Sequence, residues 1–347
     1  MSEISREPWS GEGAPLVEAV EVRKSYRIPA SWARFISIAA LEGVSVQAWE
    51  GKTVAVAGES GCGKSTLGRL LLGLATPDGG VVRFRGQSLR ELTSSVRQDY
   101  RKSIQMVFQN PLASFNPMFT VGGTIRDAMR LRKDLSSRKS EAEEAGRVAG
   151  QVGLDASLLK RYPSEVSAGQ LQRASIARAL ATEPRMVFLD EPTSALDTSG
   201  RRQIVNLLRG LQEELGLGYV LVSHDFHLIR ALAHHVVVMY LGQVVEEGPA
   251  EEVLRQPLHP YTRALVAASD LGSARRSRWR IRGELSQLAA GYRGCRLYRR
   301  CPHAVAGCQE PQTLVAVRGE QRVRCWQALE IADDSGNRVK NEQNRIP

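Results

Sequence analysis

The sequence contains no run of about 18 apolar residues, so nothing in it reads as a membrane-spanning helix. Its first residues, MSEISREPWSGEG, lack the apolar stretch of a secretory signal, and the expected compartment is the cytoplasm. Cysteine is scarce: there are five in 347 residues, and in a cytosolic chain they are not expected to form disulfides. Acidic residues are scarce between 270 and 300, where only Asp270 and Glu284 oppose Arg275, Arg276, Arg278, Arg280, Arg282, Arg293, Arg296, Arg299 and Arg300. That segment reads as a solvated surface or as a docking site, and it supplies much of the net charge of +10. Hydrophobic residues make up 42%, enough for the core of one large domain or two smaller ones.

What is present is a phosphate-binding pattern. TVAVA, at 53–57, reads as a short buried strand; GESGCGKST follows at 58–66, and LGRLLLGL after it reads as helix. Gly58, Gly63, Lys64 and Ser65 fit G-x-x-x-x-G-K-[ST]. The glycines of Gly58-Glu59-Ser60-Gly61-Cys62-Gly63 let consecutive N–H groups turn inward as a nest for phosphate oxygens. Lys64 adds a point charge for the β- and γ-phosphates, the Ser65 hydroxyl is a Mg²⁺ ligand, and Thr66 serves the α-phosphate. At Cys62 the backbone matters more than the thiol.

A second signal lies downstream. MVFLDEP, at 186–192, is an apolar run ending in two carboxylates, the pattern of a core strand in a parallel sheet. Asp190 is placed to hold Mg²⁺ and Glu191 to polarise an attacking water. SALD follows at 194–197, and then an amphipathic helix with apolar residues at 204, 207, 208, 211 and 215. YVLVSHD, at 219–225, reads as another core strand ending at His224, which by itself reads as a structural histidine and beside a nucleotide sheet is a candidate sensor for the γ-phosphate. EVSAGQLQRASIARAL, at 165–180, begins with small residues and continues with Leu171, Ala174, Ala177 and Leu180 at helical spacing. Such a bare helix start suits an anion.

In order along the chain stand the phosphate loop, VFQNP with Gln109, VSAGQ, FLDE, SALD and SHD. This set resembles the ATP-binding subunits of ABC transporters, over residues 16 to about 250. The resemblance implies an α/β fold: a P-loop ATPase core with an antiparallel β subdomain and a helical subdomain at about 100–180. It implies that Gln109 contacts Mg²⁺ or the lytic water on a loop facing the membrane subunits. By the same likeness Tyr26 stacks on adenine. Two such domains pack head to tail, so that Ser167, Ala168, Gly169 and Gln170 of one meet the γ-phosphate held by the other, with Asp197 communicating across the interface. ATP, with Mg²⁺, then closes the dimer and hydrolysis opens it. The family stretch is Leu-Ser-Gly-Gly-Gln; here Ala168 replaces a glycine. At positive φ its Cβ costs about 1–2 kcal/mol, whereas at negative φ it is harmless.

VFQNPLASFNP, HPYTRAL at 259–265 and the stretch RIPASWARFISIAALEGV resemble importers of di- and oligopeptides or nickel. That likeness implies a second ATPase chain, identical or related, two permeases, and an external solute-binding protein reached only indirectly. It implies a place on the cytoplasmic face of the plasma membrane. The alternative is an ABC-type ATPase acting on nucleic acid. The net charge favours it; the importer-like segments and the lack of a coiled-coil insertion or second cassette weigh against it, so no nucleic acid is expected.

The expected organisation is a polar tail at 1–15, the ATPase domain at 16–255, an importer-type extension at 256–332 forming a small cysteine-containing lobe, and a disordered polar tail at 333–347. Cys295, Cys301 and Cys308 are spaced C-x5-C-x6-C, with Cys325 beyond. The family likeness implies a [4Fe–4S] site; zinc, or ordinary reduced thiols, are the alternatives. His303 reads as an exposed loop residue.

Overall fold

The structure is a computed structural model and describes residues 13–31, 34–132, 138–269, 281 and 292–328. The tail at 333–347, most of the tail at 1–15, and Arg275, Arg276, Arg278, Arg280 and Arg282 lie outside the described residues.

β1 (Val17–Ser31) and β2 (Arg34–Ala48) form a long antiparallel hairpin with Tyr26 opposite Ile38. The stretch that resembles peptide importers spans its tip and most of its second strand. β3 (Thr53–Ala57) carries the chain into the phosphate loop and α1 (Lys64–Leu71). α1 begins three residues before the expected LGRLLLGL and stops at Leu71, so Gly73, at φ 64°, and the exposed Leu74 lie beyond it. β4 (Gly79–Phe84) and β5 (Gln87–Ser88) complete an antiparallel sheet of order β2-β1-β4-β5.

α2 (Ser94–Ser103) leads to β6 (Ile104–Val107). α3 (Val121–Ala128), α4 (Arg138–Gln151) and α5 (Ala168–Leu180) make the helical portion. The segment expected to be helical thus contributes a core strand first. The chain continues through β7 (Met186–Asp190), α6 (Thr198–Leu215), β8 (Gly218–Ser223), α7 (Phe226–Leu232), β9 (His235–Tyr240), β10 (Gln243–Pro249), α8 (Ala250–Arg255) and α9 (Pro260–Ser269). β11 (Val315–Arg318) and β12 (Gln321–Val323) follow in the extension.

The second sheet has the order β11-β12-β10-β9-β3-β8-β7-β6. Its strands β6, β7, β8, β3 and β9 run parallel. Their side chains alternate between two cores. Ala55, Val187, Leu189, Tyr219 and Leu221 face one; Val54, Val56, Phe188, Val220 and Val222 face the other. Burial on both faces is why these strands read as continuous apolar runs. α1 lies close on the sheet: a Cβ at Gly68 would sit 2.3 Å from the Phe188 ring.

α6 starts on Asp197, whose carboxylate accepts from the Gly200 N–H at 2.8 Å, and ends at Gly216 in the left-handed conformation. It buries Ile204, Leu208 and Leu211, but Leu215, expected on the apolar face, is 45% exposed.

The cysteine-bearing extension is continuous with the core. β12 pairs with β10, Val323 opposite Glu246, so the extension adds two strands to the main sheet.

Candidate functional site: a nucleotide site at one rim of the parallel sheet

Parallel strands deliver their carboxyl ends to a single rim, where open α/β sheets bind ligands. β3 ends at Ala57 beside Ser223 of β8, and Asp190 of β7 lies beside Val222. The phosphate loop, Glu191, His224 and, after β6, Gln109 therefore leave the sheet on the same side.

The phosphate loop needs its glycines. Gly58 has φ 151°, and a Cβ there would meet the Met239 carbonyl oxygen at 2.3 Å; Gly63 has φ 110°, and its Cβ would meet the Ala40 carbonyl at 2.5 Å. Lys64, at the first turn of α1, donates from Nζ to the carbonyls of Gly58 at 2.7 Å and Glu59 at 2.9 Å. Ser65 and Ser60 are exposed and Cys62 is buried, its Sγ 3.8 Å from Nζ of Lys64. Burial raises the Cys62 thiol pKa, so the thiol stays protonated and packs like a small apolar group.

Glu191 adopts φ 44°, an uncommon conformation for a non-glycine residue and one that recurs at functional sites. Its backbone N–H donates to the Val222 carbonyl at 2.9 Å, which fixes the turn after β7. Its carboxylate is gripped from two sides: Oε1 is 2.8 Å from His224 Nδ1 and Oε2 accepts from Gln109 Nε2 at 3.0 Å. Three residues called from separate stretches of sequence thus meet around one carboxylate. Asp190 is half-buried behind it. Burial raises its pKa, the neighbouring Glu191 charge adds to this, and Lys64 and Arg69 partly offset it.

Ser65, Asp190 and Gln109 offer a hydroxyl, a carboxylate and an amide oxygen, a hard-oxygen set suited to Mg²⁺. Gln109 commits its NH₂ group to Glu191, so its amide oxygen is the atom that could face a cation.

Ser167 caps α5 through a capping box. Its Oγ accepts from the Gln170 N–H at 3.3 Å, and the Gln170 side chain accepts from the Ser167 N–H at 2.9 Å. The Ser167 Oγ acts as an acceptor in this cap, so its own proton is not used by it. Ala168 is the first residue of α5 and is absent from the positive-φ residues; a Cβ at Gly169 would meet nothing within 4 Å. Alanine therefore carries no backbone strain here. Tyr26 lies on β1, 36% exposed, with Nζ of Lys24 5.8 Å from its ring centroid.

Three residues escaped the sequence reading. Arg178, near the end of α5, donates to the Ser114 carbonyl at 2.8 Å and the Met106 carbonyl at 3.2 Å, so it bridges both sides of the Gln109 loop. Its guanidinium lies 5.5 Å and 5.6 Å from the Phe108 and Phe115 ring centroids. Tyr261 and Glu246 are the others. Both are buried, Tyr261 inside a stretch read only as a family marker and Glu246 in the middle of β10, a stretch the sequence reading did not single out.

The four tail cysteines do not meet the expectation of a metal cluster. Among the described residues no three His, Cys, Asp or Glu are grouped to hold a metal ion. Cys295 and Cys301 pack against the main core, and Cys325 packs beside Leu258, Val323 and Ala328. Burial pushes Cys295 up to about 11 and Cys325 up to about 12, with the other tail thiolates adding repulsion. Cys295, Cys301 and Cys325, each raised by burial, sit as protonated thiols filling apolar space.

Residues 41–194 match the family model described as ABC transporter, and residues 245–308 match the oligopeptide/dipeptide transporter, C-terminal region. The chain belongs to the ATP-binding proteins of ABC transporters. Within that family it is 42% identical to the dipeptide transport ATP-binding protein DppF of Haemophilus influenzae, over 87% of this chain and 93% of the relative. It is 40% identical to the oligopeptide transport ATP-binding protein OppF of Salmonella typhimurium, over 82% and 86% respectively. Among solved structures it is similar to the dimeric post-hydrolysis state of the ATP-binding cassette MJ0796 bound to ADP and Pi. That similarity has a TM-score of 0.60 and 28% identity, and covers 67% of this chain and 98% of the other.

Proposed function

We propose that this chain is the ATP-hydrolysing subunit of an ABC importer for di- or oligopeptides. The observation that carries the reading is the carboxylate of Glu191 held between Gln109 and His224 on the rim that also bears the phosphate loop. The peptide relatives and the match of residues 245–308 support the cargo class. Nothing in the comparisons favours the nucleic-acid alternative.

The residues divide the work. The loop from Gly58 to Gly63 wraps the phosphates with backbone N–H groups other than that of Glu59, which donates to Tyr261, and Lys64 moves from the loop carbonyls to the phosphate oxygens. Ser65, Asp190 and Gln109 would hold Mg²⁺, which when bound would neutralise charge on the phosphate oxygens. Glu191 polarises the attacking water, and His224 and Gln109 fix the orientation of its carboxylate. Tyr26 lies under the adenine. Ser167 and the N–H groups of Ala168 and Gly169 face the γ-phosphate held by a partner ATPase chain, and Asp197 lies at the same interface. The dimer, closed by ATP, works on two permeases through the Gln109 loop, with a solute-binding protein serving the far side. Anchorage to permeases holds the chain at the cytoplasmic face of the membrane; no described helix is long and apolar enough to cross it.

The reconstituted transporter tests this. Peptide uptake into vesicles is expected to require Mg-ATP and to vanish with Glu191→Gln; uptake that persists with that variant contradicts the reading. A four-thiolate cluster in the tail, implied by the family likeness alone, would give a broad absorption near roughly 400 nm. The packing of the thiols leads us to expect colourless protein after anaerobic purification.

A further inference from the structure

The extension reaches back to the phosphate loop. Tyr261, fully buried at the start of α9, accepts a hydrogen bond at its hydroxyl from the backbone N–H of Glu59, at 2.7 Å. That N–H is therefore spent on the tyrosine and takes no part in the phosphate nest. Arg300, on the cysteine-bearing segment, places Nη1 3.3 Å from Glu59 Oε2 and 3.1 Å from the Tyr240 hydroxyl. The Tyr240 and Tyr261 rings pack at 4.7 Å between centroids, tilted by 56°. Arg296 adds a second tie, to the Leu241 carbonyl and the Glu42 carboxylate. Glu59 is thus held by its main chain from α9 and by its side chain from the tail, immediately after Gly58, whose backbone is pressed against Met239.

We infer that Tyr261 and Arg300 are positioning residues for nucleotide binding: together they clamp Glu59, fix the first turn of the phosphate loop, and make ATP affinity depend on the docked C-terminal extension. The inference rests on the ATPase reading above. The physical reason is preorganisation. A loop that presents several N–H groups to one phosphate loses affinity when its entry turn is free to choose other conformations. The Glu59 N–H has a buried partner in the tyrosine, and removing the hydroxyl leaves that donor unpaired.

The test is calorimetric titration of Mg-ATP onto the full chain. Tyr261→Phe, which keeps the ring and removes one oxygen, is expected to weaken the Kd about fivefold, with the stoichiometry of binding unchanged. Arg300→Ala is expected to weaken it to a similar degree, and Arg300→Lys to recover part of the loss. Arg299→Ala, an exposed neighbour with the same charge change, is expected to bind as the wild type does. A purely packing role would show a lower stoichiometry, from unfolded protein, at an unchanged Kd; that result overturns the inference, as does a wild-type Kd in both Tyr261→Phe and Arg300→Ala. Failure of the wild-type chain itself to bind Mg-ATP would instead remove the functional reading beneath it.

Discussion

Nδ1 of His224 lies 2.8 Å from Oε1 of Glu191, and the opposite carboxylate oxygen is occupied by Gln109. A carboxylate held at both oxygens keeps one orientation, which suits the role proposed for it in polarising an attacking water. Glu191→Gln keeps the shape and removes the charge. It is expected to lower the rate of phosphate release by about 10²–10⁴-fold while Mg-ATP affinity stays within about threefold. Steady-state phosphate release paired with nucleotide titration checks both halves.

Ala168 provides a test of the departure from the family signature. It is the first residue of α5, in ordinary helical geometry, so a glycine there regains no forbidden conformation. Ala168→Gly is expected to cost about 0.5–1 kcal/mol of stability through backbone entropy and to leave turnover within about twofold. Thermal unfolding and ATPase assays of the same preparation give the two numbers. A gain in turnover of tenfold or more would show that the missing glycine matters.

Glu246 is fully buried, and its carboxylate accepts from the N–H groups of Leu258 at 2.7 Å and His259 at 2.9 Å, and from Gln321 Nε2 at 2.7 Å. It therefore stitches the start of the extension and β12 to β10. Glu246→Ala leaves buried donors unpaired and is expected to cost about 2–4 kcal/mol. Limited proteolysis should then cut near residues 256–260, where the wild type resists; equal resistance would refute the stitch.

Glu144 on α4 gives a prediction in pH. It accepts from Arg132 at 2.6 Å and from Arg147 at 2.7 Å. The Arg147 hydrogen bonds chiefly, with Arg132 after them, hold its carboxyl at about 2, below the ordinary 4.5. A depressed carboxylate pKa stabilises the fold above about 4.5, and the contribution is lost as pH falls toward 2. Screening at this partly exposed site limits it to about 1 kcal/mol. Glu144→Gln is expected to lower the neutral-pH Tm by about 2–4 °C and to flatten its decline between pH 4.5 and 2. Scanning calorimetry across that interval measures the slope.

Much of the site could be read from the sequence because its parts are short and local. A glycine loop between strand and helix, and strands buried on both faces, leave marks in consecutive residues. TVAVA and MVFLD are strands over the same residues that their apolar patterns specify. The grip of Gln109 and His224 on one carboxylate was legible only as family order, since it depends on how β6, β7 and β8 are aligned across the sheet. Tyr261 was hidden for a different reason. Its partner is 202 positions away, and the contact is to a main-chain N–H, which no side-chain pattern reports. The cluster expected at the cysteines came from the family likeness and not from their spacing, because intervals along a chain do not say whether thiols converge on a metal or fill apolar space.

Arg178 is bonded to carbonyls on both sides of Gln109 while riding on the helix that Ser167 begins, about 16 Å away by helical rise. Neither segment can slide past the other without stripping a cation of both carbonyls in an apolar setting. The arginine acts like a pin through a crank. Residues 106–115 and Ser167 are thereby joined through one helix, so a displacement of the first segment is expected to be felt at the second.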